Sequence, residues 1–133
     1  MHSAMLAVVA IGNAALAADN TPAAIDLQGY NAAEILLAIG AGGITFDATN
    51  KVEFTLTHSD DDSTYTAVAD ADMLGVSSIS SGIIKSLVAA HAAAAVYRFG
   101  YVGGKRYLKL LAAFSGTHGT GTLIVAIVLK GRG

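Results

Sequence analysis

Seven residues, Lys51-Val-Glu-Phe-Thr-Leu-Thr57, constrain the fold more than any other stretch. Val52, Phe54 and Leu56 alternate with Lys51, Glu53, Thr55 and Thr57. A period of two puts one apolar and one polar face on an extended strand. A helix would scatter the same residues around its circumference. His58-Ser-Asp-Asp-Asp-Ser63 then turns the chain, and Tyr65-Thr-Ala-Val68 reads as a further short strand.

The second half of the chain repeats this grammar. Val96-Tyr-Arg-Phe-Gly-Tyr-Val102 is β-branched and aromatic, hence strand-like. Gly103-Gly104 is a two-residue hairpin signal, with Lys105 to Phe114 as the return strand. The Gly/Thr stretch Ser115 to Gly121 reads as a flexible hairpin loop. Leu123-Ile-Val-Ala-Ile-Val-Leu129 is uniformly apolar, too short for a membrane helix and too β-branched for an ordinary one. It reads as a strand buried on both faces, or covered by a partner subunit. Ile25 to Tyr30 is a short extended piece, and Ala33 to Gly40 is a strand or a short helix.

Residues 83–95 pull two ways. Ile83, Ile84, Leu87 and Val88 sit at helical spacing, and six of the seven residues 89–95 are alanine, so local propensity leans to helix. The alternative is a strand to Val88, a small-residue loop, and a new strand from Val96. Short strands at regular spacing indicate an all-β, antiparallel β-sandwich with jelly-roll character. The expected division is an N-terminal strand or arm over 1–20 and a single sandwich domain over 21–133. Ala4 to Ala18 also resembles a signal-peptide h-region, but no Lys or Arg precedes it, and a strand from Met5 to Ile11 is the preferred reading.

Composition narrows function by exclusion. Charged residues make up 14% of the chain, against roughly 25% in an average soluble domain. A surface this poor in charge points to partners that cover part of it. The net charge of −2 offers no basic excess to neutralise phosphates, so a nucleic-acid partner is not expected. No segment reaches transmembrane length, so no membrane partner is expected either. With no cysteine, disulfide and thiolate-metal chemistry are out.

The histidines at 2, 58, 91 and 118 form no metalloprotease pattern. His58 beside Asp60, Asp61 and Asp62 is better read as a solvated acidic turn than as a metal site, because the calcium-loop pattern breaks at Thr64 and Tyr65. Gly116, Gly119 and Gly121 around His118 lead into a β-branched strand, not into the helix that a phosphate-binding loop requires. There is no G-x-S-x-G elbow. Serines 77, 78, 80 and 81 have no local His or Asp arrangement, and the acids at 60–62, 70 and 72 lie in turns. The expectation is therefore no enzyme, no catalytic residue, no cofactor and no metal.

Lys105, Arg106, Lys109, Lys130 and Arg132 are the one basic concentration. They read best as an intersubunit salt-bridge surface. Tyr97, Phe99 and Tyr101 lie two apart on one strand face, as core or as interface anchors.

Four segments resemble a family of small tailed-bacteriophage virion structural proteins. They are Ile25-Asp-Leu-Gln-Gly-Tyr30; Val52 to Asp60 continuing through Tyr65 to Asp72; Gly100-Tyr-Val-Gly-Gly-Lys-Arg-Tyr107; and the terminal strand ending Leu129-Lys-Gly131. The third is the most specific. Where family chains often end in Gly-His-Pro, this one reads Gly131-Arg-Gly133. The resemblance implies a capsid decoration (cement) or minor head protein, assembled in the host cytoplasm and located in the virion. It implies as partners the major capsid protein and copies of the chain itself, arranged as a trimer. It also implies a strand at Ile83 to Val88 and a loop at the alanines. A tail or neck structural protein, and a secreted glycan-binding sandwich, are the alternatives. The expected interface residues are Tyr97, Tyr101, Lys105, Arg106, Tyr107 and Ile127.

Overall fold

The computed structural model describes residues 5–30, 32–76 and 79–131. Its strands are β1 (Met5–Leu16), β2 (Ile25–Asp26), β3 (Ala32–Ile39), β4 (Lys51–Ser59), β5 (Thr66–Ala67), β6 (Met73–Leu74), β7 (Ile83–Leu87), β8 (Ala95–Tyr101), β9 (Tyr107–Ser115) and β10 (Thr122–Gly131). Among the described residues the one helical piece is a 3-10 turn, Asp70–Asp72. The front sheet runs β1-β10-β3-β8-β6. The back sheet runs β2-β9-β4-β5, with β7 also paired to β4. Every pairing is antiparallel.

The connectivity follows from nested pairing. β1 pairs with β10, β2 with β9, β3 with β8 and β4 with β7, as in one long hairpin. Rolling that hairpin adds β10 to β3 and β9 to β4. The result is the eight-stranded jelly roll, and the fold is an all-β sandwich of two antiparallel sheets.

The core lies between the sheets. Ile35, Leu37 and Ile39 of β3 and Ile124, Ala126 and Val128 of β10 face Val52, Phe54 and Leu56 of β4 and Leu108, Leu110 and Ala112 of β9, all shut off from solvent. These residues alternate along their strands, so one face of each sheet is buried and the other is turned outward.

Several local expectations need correction. β8 belongs to the front sheet and β9 to the back, so Gly103-Gly104 is a crossover and not a hairpin turn. The glycines are there because the chain folds back over Tyr101. A Cβ at Gly103 would lie 2.7 Å from that ring, and Gly104 has φ +78°. The Gly/Thr loop from β9 to β10 likewise crosses between sheets.

The helical lean over residues 83–95 fails. Ile83–Leu87 is β7, and the alanines form a loop. Seven residues cannot nucleate a helix without packing support. His91 instead anchors the loop, its Nδ1–H donating to the Gly40 carbonyl at 2.8 Å and its Nε2 accepting from the Tyr97 hydroxyl at 2.8 Å.

At the N-terminal end the strand expected from Met5 to Ile11 is present and runs on to Leu16. β1 pairs with β10 along its length and sends Ile11 into the core, so it belongs to the sandwich. Register shifts between Val9 and Ile11 and between Ile11 and Ala14 bend it as the edge of the front sheet. His2, Ser77, Ser78 and Arg132 lie outside the described residues.

Candidate interaction surface

The front sheet's outer side is where the sequence pattern departs from an ordinary sandwich. With Ile124, Ala126 and Val128 inward, β10 turns Leu123, Val125, Ile127 and Leu129 outward. Register then fixes the neighbours. Val9 of β1 lies opposite Ile127, which lies opposite Leu36 of β3, which lies opposite Arg98 of β8. The next row joins Val125, Ala38 and Val96. A third joins Ala7, Leu129, Glu34, Gly100 and Leu74.

Four of these side chains stand well out in solvent: Val9 at 64%, Val96 at 65%, Leu74 at 60% and Leu123 at 48% exposure. Within these strands the outward charges are Glu34 and Arg98, paired at 2.6 Å. With β3 eight residues long, a rise of ~3.3 Å per residue and a strand spacing of ~4.8 Å make the face of four strands roughly 500 Å². That is the size of the largest apolar patch on a typical soluble monomer, and such patches are often functional.

The expected interface residues fall elsewhere, with one exception. Tyr101 is 1% exposed and belongs to the core, so the interface expectation is wrong for it. Tyr97 shares its parity, is partly buried against the core, spends its hydroxyl on His91, and has the Lys85 ammonium 4.1 Å from its ring centroid. Lys105 pairs with Asp60 at 2.9 Å.

Arg106 is held within the chain, donating to Asp26 from Nε at 2.8 Å and from Nη2 at 2.9 Å, and to Gln28 at 2.8 Å. That guanidinium and the Gln28 N–H lower the Asp26 carboxyl to about 2. Tyr107 lies under Arg106 at 4.9 Å. Lys105 and Arg106 are thus held in intrachain ion pairs, Lys109 lies over the Tyr65 ring at 4.4 Å, and Lys130 donates to the Asp26 carbonyl at 2.9 Å. Ile127 alone sits in the apolar face, half-buried at its centre.

Sequence reasoning missed Val9, Leu36, Leu74 and Val96, and with them Glu34 and Arg98. The signal was available on β8: if Tyr97, Phe99 and Tyr101 face inward, Val96 and Arg98 face out.

A polar network closes one end of the sandwich. Tyr101 Oη accepts the Lys105 N–H at 3.1 Å and donates to His58 Nδ1 at 2.8 Å. That leaves the proton on His58 Nε2, 4.0 Å from Asp72. Burial holds the His58 pKa below its usual value, against the pull of Asp72, and burial raises that of Tyr101.

The neighbouring acids are engaged. Asp61 accepts from the N–H groups of Ser63 and Thr64 and from the Ser59 hydroxyl, which lowers its pKa, the Thr64 N–H contributing most. Asp62 accepts from the Tyr65 hydroxyl, whose pKa rises through burial and this bond. Among the described residues no group of three or more His, Asp or Glu side chains is placed to hold a metal ion.

No family model matches this chain, and no curated protein or solved structure matches it either.

Proposed function

We propose that this chain is a structural virion subunit, a capsid decoration protein that binds a phage head through subunit–subunit contacts. The observation that carries this reading is the apolar outer side of the front sheet. A sheet normally turns polar residues to water, as β4 does. Covering Val9, Leu74, Val96 and Leu123 would contribute roughly 4–7 kcal/mol per chain. Association costs ~4–15 kcal/mol, so this burial offsets only part of that cost, and the apolar surface that the partner buries in the same contact must supply the rest. The jelly roll recurs in viral capsid domains, and it supplies the flat, rigid face that the reading needs. The resemblance in the segments at 25–30, 52–72 and 100–107 supports the placement in a phage particle.

Mass spectrometry of purified particles tests this. The expected result is the chain at a copy number comparable to that of the shell subunit. A copy number typical of a tail component, or absence from particles, overturns it.

A further inference from the structure

We propose that the outer side of the front sheet packs against the same side of a second copy of this chain, about a two-fold axis. The proposal rests on the reading of the chain as an assembly subunit: the apolar face joins two copies, and the pair then meets the head through its remaining surface.

Charge selects that occupant. The face carries one acid and one base, Glu34 and Arg98, set side by side among aliphatic residues. It is neutral and matches itself: a two-fold brings Glu34 of each copy to Arg98 of the other, so both charges stay paired when water leaves. The Arg98 side chain is 70% exposed and free to reach across. The alternative surface of the sandwich fits poorly. The back sheet's outer side carries Lys51, Glu53, Lys109 and Asp26, and a contact between unlike faces would strip those charges of water. This argues against the ring of a trimer, in which one face must meet a different one.

Area sets the strength. Two faces of roughly 500 Å² each bury about 1,000 Å², the lower limit for a specific interface. Aliphatic sheet against aliphatic sheet is also the packing that the sandwich uses inside itself. An interface at that limit is weak and reversible in solution.

Sedimentation velocity on the full chain, from micromolar to sub-millimolar concentration, tests this. The wild-type chain is expected to shift reversibly from monomer to dimer. Glu34→Arg and Arg98→Glu, both at outward positions, should each weaken the dimer at least ~10-fold with an unchanged circular-dichroism spectrum. Mixed one to one they should form a heterodimer, because one face is then doubly positive and the other doubly negative. Val96→Glu, at the most exposed aliphatic position, should also give a folded monomer.

A monomeric wild type, a trimer, single variants that dimerise normally, or a mixture that stays monomeric would each overturn the two-fold contact. A monomer found in particles at shell copy number defeats this proposal and leaves the decoration reading standing. A dimer absent from particles does the reverse.

Discussion

On the back sheet, β4 fills its outer side with Lys51, Glu53, Thr55 and Thr57, whereas on the front sheet β10 fills the same side with Leu123, Val125, Ile127 and Leu129. The inner sides of the two strands are alike, both aliphatic or aromatic and fully buried. Burial in the core therefore accounts for one parity of each strand and says nothing about the other. The outer parity is free of that constraint, and the two sheets fill it with different residue types. The back sheet also ties down its edge. Asn20 bonds to the Leu110 carbonyl and the Ala112 N–H, and Asp19 to the Phe114 N–H, so polar side chains occupy the flank of β9 that β2 leaves uncovered.

The largest effects should show no difference between the sheets. Leu37→Ala on the front sheet's inner side and Leu110→Ala on the back sheet's are each expected to cost about 2–5 kcal/mol in urea unfolding. A loss of less than ~1 kcal/mol at either would mean that one sheet packs loosely.

The outer sides should then part company. Ile127→Asp is expected to cost about 1–3 kcal/mol and to remove association, read by sedimentation. Thr55→Asp should change stability by no more than ~0.5 kcal/mol and leave association intact. Equal behaviour of the pair would erase the contrast.

The smallest effect concerns the joint between the sheets. His58 on β4 meets Tyr101 on β8, and its folded-state pKa lies below 6.5. As pH falls through 6.5 the unfolded chain takes the proton first. The stability linked to this group is complete above that pH and declines below it. His58→Gln should flatten the decline below about pH 6.5, measured by thermal unfolding. An unchanged slope would assign the acid response to other groups. Asp26, held at about 2, acts only in the lower window beneath 3.8.

How much of this the sequence disclosed depended on how local each cause was. The alternation of residues 51–57 is local, and β4 lies where expected. The β-branched run at 123–129 marked a strand, but its inward and outward residues are alike in type, so the exposed side was invisible without neighbours. Gly103-Gly104 was misread because a hairpin and a crossover look the same until the partner strands are known. The alanines at 89–95 have helical propensity without a packing face, and the two His91 hydrogen bonds decide the matter instead. His58 and Tyr101 lie 43 residues apart in different sheets, and no spacing rule pairs them. The basic residues were seen as a patch, but their acidic partners Asp26 and Asp60 are distant in sequence.

Nested pairing also governs when this molecule can fold. β10 is inserted between β1 and β3, so the front sheet has no centre until Thr122–Gly131 has been made. Leu16 waits for Thr122, a gap that takes ~5–20 s to cross at ribosomal speed of ~5–20 residues per second. Throughout that delay β1 and β3 emerge with apolar residues on both sides and no strand to hold. Cooperative closure after synthesis, slow and dominated by distant contacts, is the expected folding route. A nascent chain paused before β10 should be a ready client for holdase chaperones, and release of that last strand should end its dependence on them.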